Sequence, residues 1–240
     1  MTHSLLSLSA EELLTRYRNG DRQFVGVNLR DVDLLQVDLT EIDLSGSDLR
    51  QARLGKSHLK RANLQRANFS EALMWGTDLE SAHLKQAILR DVDLSGARLT
   101  GANLTGAYLY KASLSGVNLS HATLCNALLM DTDFRPTADQ RTDLGNANFA
   151  GADLSYANLS SANLRQANFQ GAKLCRANFH VSLQASSLAS DLTGANFRGA
   201  DLSYADLTGA ILCGVDFTDA DVTGAIFTNA DLTGAILPPG

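Results

Sequence analysis

The sequence predicts an all-β solenoid, a single coiled domain around a thin apolar core with a short helix at its N-terminal end. Three observations carry this. Leu, Phe or Met recurs at every fifth residue, a small side chain nearly always precedes it by two, and aromatics are only 6% of a chain that is 45% hydrophobic. Such a composition suits a narrow, regular core better than a bulky globular one.

The period comes first. From Phe24 to Phe134 the fifth-residue position is apolar in 23 places without a miss, including Leu29, Leu64, Phe69, Met74, Leu104 and Leu124. Two residues earlier stands Val or Ile at Val27, Val32, Val37 and Ile42, then mostly Ala, as at Ala62, Ala67 and Ala102. The residue between is usually Asp or Asn, and the two that follow are Ser, Thr, Gly or charged. On an α-helix a period of five precesses by about 140° per repeat, and on a flat strand an odd period changes face each time. Neither element could bury the pattern. A short extended segment points the small and large residues the same way, and a turn in the remaining residues redirects the chain. Coils stacked at about 4.8 Å then place Leu on Leu.

The ends and interruptions follow. Residues 1–23 form a cap in which Ser9 and Glu12 make a capping box, Leu8 and Leu13 a hydrophobic staple, and Gly20 a stop. This predicts a helix over about 10–19 whose Leu13, Leu14 and Tyr17 cover the first coil. The repeat runs over 24–237 and ends at Leu237-Pro238-Pro239-Gly240, which leaves the last coil open to solvent or to weak dimerisation; the chain is otherwise expected as a monomer. A loop is expected at 135–143, where Asp139 occupies an apolar place. An irregular coil is expected at 180–191, with Leu183, Leu188 and Leu192 spaced by four, five and four residues after Phe179 as two shortened sides of a continuous core.

The tandem A-[DN]-[LF]-x-x quintets, as in Ala102-Asn103-Leu104-Thr105-Gly106 and Ala200-Asp201-Leu202-Ser203-Tyr204, resemble the pentapeptide-repeat family over residues 24–237. The resemblance implies a right-handed quadrilateral β-helix with four quintets per coil. If that register survives the loop, Trp75, Arg135, Pro136 and Tyr156 share one outer face. With Asp139 and Arg141 of the loop they form the candidate protein-binding set, since Trp, Arg and Tyr are enriched at interface hot spots. The alternative reading has Trp75 merely folded over a corner.

Charge and motifs narrow the function. From Val181 onward seven aspartates face Arg198 alone, which accounts for the whole net charge of −6. An acidic end disfavours direct nucleic-acid or anionic-membrane binding, both of which need exposed cations. Cys125, Cys175 and Cys213 are odd in number and far apart, so neither disulfides nor a zinc site is expected. The five histidines lie on different quintets, the glycines sit in turns rather than in a phosphate loop, and no signal or membrane-spanning pattern is present. The expectation is a cytoplasmic, non-enzymatic protein without metal or cofactor.

The segments 53–57, 73–79, 135–145 and 172–179 further resemble the members of that family that regulate heterocyst differentiation in filamentous cyanobacteria. What this implies is a partner, the transcription regulator HetR, and opposition to PatS-type inhibition. The rival is a DNA-mimicking rod that binds type II topoisomerases, which the acidic last quarter would suit; a passive or ice-binding rod would want flat Thr columns, and Cys213 interrupts them.

Overall fold

The computed structural model describes residues 6–180 and 188–238. Each quintet forms one side of a right-handed, four-sided β-helix. The residue before each large apolar residue makes a parallel bridge to its counterpart one coil on, twenty residues away wherever the repeat is regular, as in Asp33↔Arg53↔Leu73. Leu34 N–H donates to Arg53 C=O, and Arg53 N–H to Val32 C=O, so the ladders run along the axis.

The corners explain the quintet. The amide following the turn donates back to the large residue's carbonyl, as Ala52 N–H does to Leu49 C=O at 3.1 Å. The second of the two intervening residues has φ near +60°, glycine or not, as at Gln51, Lys56 and Gly76, while the first does not. One left-handed residue in third place defines a type II turn. The Asp or Asn before the large residue accepts the N–H two residues on, as Asn68 does from Ser70 at 3.0 Å and Asp153 from Ser155 at 3.0 Å. That bond locks the side to its corner and is the reason those residue types recur there.

We number the sides by their large residues: side one begins at Phe24, side two at Leu29, side three at Leu34 and side four at Leu39. Their Leu, Phe and Ala side chains are fully buried in one continuous column of core. On side one Phe149, Phe169, Phe197 and Phe217 stack with centroids 4.9, 4.8 and 5.4 Å apart. In the last coil Val222, Phe227 and Leu232 are only partly buried and Leu237 is exposed, because no described coil stacks on them.

The N-terminal segment does more than cap. Strand β1 (Leu6–Ser7) pairs in parallel with β2 (Val27–Asn28) and covers the open edge of the first coil. Helix α1 (Ala10–Arg18) follows; the Ser9 hydroxyl accepts from Glu12 N–H at 3.1 Å, and Asn19 closes the C-terminus. Leu13 is fully buried on the core, and the Tyr17 hydroxyl donates to Thr40 C=O at 2.9 Å.

The regular count is interrupted by two insertions, here called excursions, both at the edge between sides three and four. Across the first, bridges join Asn118↔Asp143 and Asp133↔Asn158, twenty-five residues apart. Five residues are therefore extra, and Phe134 to Leu144 spans a single side. Across the second, Asn163↔Asp191 and Asn178↔Asp206 are twenty-eight apart, so eight residues are extra between Phe179 and Leu192. This corrects the expected pair of shortened sides at 180–191: Leu188 is 58% exposed and the core steps from Phe179 to Leu192. Leu183 lies outside the described residues.

Candidate protein-binding edge

The three–four edge is built from the turn residues of side three. Reading up the rod, its first turn positions are Gly55, Trp75, Ser95, Ser115 and Arg135, followed after the excursion by Ser160 and His180. Trp75 lies flat over the coil beneath it: a Cβ on Gly55 would stand 2.7 Å from its Cε2. Lys56 Nζ sits 5.2 Å from the indole centroid. The ring still leaves 38% of the residue's surface to solvent. Trp75 therefore folds over a corner and presents its outer face at the same time.

The first excursion lies down along this edge rather than standing away from it. Thr137 N–H donates to Gln140 C=O at 2.9 Å, and Gln140 N–H to the Thr137 hydroxyl at 3.1 Å, closing a tight turn. Added Cβ atoms on Gly116 and Gly96 would meet Thr137 Cγ2 at 2.9 Å and Gln140 Oε1 at 3.9 Å. The loop thus reaches the coil next to that of Trp75. Its base is clamped by buried Thr142, whose hydroxyl donates to Arg135 C=O at 3.0 Å and accepts from Gly116 N–H at 2.9 Å. Arg135 is held by Asp133 at 2.8 Å; burial works against ionisation of that carboxyl, but the Arg135 contacts outweigh it and keep its pKa low.

Of the six sequence-predicted residues, Trp75, Arg135, Pro136 and Asp139 fall on this edge and are exposed. Arg141 does not point outward there. Its guanidinium turns inward and donates to the carbonyls of Ser161, Ala162 and Ala189 at 2.9, 3.0 and 2.7 Å, fastening the end of the first excursion to the base of the second. That burial lowers its pKa from the usual arginine range. Tyr156 is also displaced. The five extra residues rotate everything after them by one side, so Tyr156 occupies the edge between sides two and three, near Arg176. The residues missed in the sequence are Gly55, Gly96 and Gly116, which let Trp75 and the loop lie close; reading the chain in columns of twenty would have found them.

Among the described residues no group of three or more His, Cys, Asp or Glu converges on a point. Cys213 donates to Asp231 at 3.2 Å, and that contact raises its pKa, the wrong direction for a nucleophile. A shallow depression lined by Val25, Ser45, Asn63 and Arg66 holds no nucleophile–base pair. No described helix is long and apolar enough to cross a membrane.

The sequence matches the family described as pentapeptide repeats, in eight copies over residues 23–61, 62–101, 112–135, 142–180, 190–229 and 202–237. The chain belongs to the pentapeptide-repeat family. No curated protein matches it. Among solved structures it is similar to HetL, a pentapeptide-repeat protein involved in heterocyst differentiation regulation from the cyanobacterium Nostoc sp. PCC 7120. The two share 51% identity over 97% of this chain and 98% of that one, with a TM-score of 0.95. The pentapeptide-repeat protein alr5209 of Nostoc PCC 7120 is 27% identical over 57% of this chain and 91% of its own, with a TM-score of 0.23. QnrB1, a plasmid-mediated fluoroquinolone resistance protein, is 18% identical over 90% of each chain with a TM-score of 0.48. Neither of the last two likenesses carries functional weight.

Proposed function

We propose that this pentapeptide-repeat rod is a non-catalytic, protein-binding regulator of heterocyst differentiation that binds a HetR-type transcription regulator and opposes PatS-type inhibition. The observation that carries the reading is the 51% identity to HetL across essentially the whole of both chains. The contact surface in this reading is the three–four edge, where Trp75, Arg135, Pro136 and Asp139 offer an aromatic face beside a braced loop. Trp, Tyr and Arg are enriched among the few residues that dominate binding at protein interfaces. The test is binding of purified HetR measured by calorimetry, with a PatS-derived peptide as competitor. Wild type should bind, and Trp75→Ala or deletion of Thr137–Gln140 should weaken binding at least tenfold with an unchanged melting temperature. Normal binding by both variants would move the contact elsewhere.

The topoisomerase-binding alternative rests on the acidic end. There the carboxylates scatter, with Asp201 and Asp221 on side two, Asp206 on side three, Asp216 on side one and Asp231 on side four. Retention of gyrase in place of HetR in the same assay would reverse the order of the two readings.

A further inference from the structure

Side two carries a surface that the edge described above does not use. On this row the outward residue before the large one is Asn28, Asp48 and Asn68 in the early coils, then Ile88, Tyr108 and Leu128 on three successive coils, then Asp153. The three apolar residues are 37%, 48% and 36% exposed. Wherever Asp or Asn holds this place it braces the turn, as Asn68 and Asp153 do for Ser70 and Ser155. The run Ile88–Tyr108–Leu128 gives up that brace three times in succession. Other apolar residues at this place have no apolar neighbour on the adjacent coils of their row: Leu73 lies between Arg53 and Asp93, Ile211 between Asp191 and Asp231, and Ile226 and Ile236 follow Asp206 and Asp216. Beside the run, the two–three edge adds Tyr110, Met130 and Tyr156. It continues into a stack in which the Arg176 guanidinium lies 5.9 Å from the Tyr156 ring and 5.6 Å from that of Tyr204. All four tyrosines of the repeat region are therefore on side two or this edge of it.

The charge around the run is of the opposite sign to the chain. Over residues 84–176, side two and its two edges hold Lys85, Arg90, Lys111, Lys173 and Arg176 against Asp91, Asp131 and Asp153, five cations to three carboxylates in a protein of net −6. Arg90 pairs with Asp91 at 2.7 Å. Among the described residues Lys85, Lys111, Lys173 and Arg176 have no carboxylate within 4.0 Å.

We propose that side two is a second docking surface, and that its occupant is an acidic amphipathic helix of a protein partner laid along the rod axis. The apolar residues of the run repeat at the coil spacing of about 4.8 Å. One face of a helix repeats at its pitch of about 5.4 Å, a mismatch of about 0.6 Å per step that side chains absorb. Same-face residues of a strand repeat at about 6.7 Å, and lose register by the third row. Carboxylates flanking the helix's apolar stripe meet the unpaired cations.

The experiment uses the full chain and two synthetic helices of about 20 residues with the same leucine stripe, one flanked by Glu and one by Lys, with binding read by fluorescence anisotropy. The Glu-flanked helix should bind and weaken as salt rises. Binding should fall at least tenfold for the triple variant Ile88→Asn, Tyr108→Asn, Leu128→Asn, which restores the turn brace on each coil and so keeps or raises the melting temperature. It should fall also for Lys85→Glu with Lys111→Glu. Equal binding of the Lys-flanked helix, or undiminished binding by the triple variant, would overturn the proposal. So would self-association of the chain, seen by sedimentation and abolished by the triple variant, in place of peptide binding. Trp75→Ala, on the other edge, should leave peptide binding unchanged whatever it does to HetR.

Discussion

At the scale of single residues, each place in the quintet has its own physical duty. The large residue fills the core, the Asp or Asn accepts the turn amide, and the left-handed place suits glycine but holds Gln51, Arg61 or Tyr156 equally. Leu104 is wholly buried between coils. Leu104→Ala should cost about 2–5 kcal/mol, read by urea denaturation, whereas Thr105→Ala next to it should cost much less, losing only a local hydroxyl contact to Asn103. Gly55→Ala probes the edge more finely. Gly55 does not have a left-handed φ, so alanine suits its backbone, but the new Cβ would fall within 2.7 Å of Trp75. The sole tryptophan should lift away and its fluorescence shift to the red, with little change in melting temperature. Core residues were legible in the sequence because a fifth-residue apolar pattern has one geometric solution. Gly55 was not, because its role depends on a neighbour twenty residues on.

At the scale of elements, the helix and the two excursions behave differently. Helix α1 was readable since capping box, staple and stop are local signals. Strand β1 was not, because Leu6–Ser7 gains its meaning only by pairing with Val27–Asn28. The excursions share one edge and one fastener. Arg141→Ala removes three hydrogen bonds from a partly buried guanidinium, including the bond that reaches Ala189. It should cost about 1–3 kcal/mol and make both excursions more susceptible to limited proteolysis, while Arg135→Ala should do neither. The sequence suggested Arg141 as a contact residue because it is an arginine of the loop; only the folded chain, which gathers the carbonyls of Ser161, Ala162 and Ala189 around it, shows that its guanidinium turns inward.

For the molecule as a whole, the aspartates couple fold to pH. Asp38 is held low by the Thr40 hydroxyl and amide, Asp48 by the Arg50 guanidinium, and Asp216 by Thr218. Asp221 and Asp231 are held low by Thr223 and Thr233 in the same way. A carboxyl whose folded pKa lies below its unfolded value stabilises the fold above that unfolded value, near 3.9, and loses the contribution as pH falls through the folded pKa. The melting temperature should thus hold between about pH 7 and 5 and drop below about pH 4. A melting temperature indifferent to acid down to pH 2 would mean that the turn braces do not depend on charge. Sequence alone determined that the chain coils, which side chains of the regular quintets are interior, and where that regularity fails, because burial has a period and that period is written residue by residue. Only the tertiary structure decided which side each later quintet occupies. Position along the chain fixes place within a quintet, but the side depends on how many quintets complete a coil. An excursion that absorbs five residues keeps the first count while turning every later residue by a quarter of the rod, which parts Tyr156 from Trp75 and sets it on the same edge as Tyr110 and Tyr204.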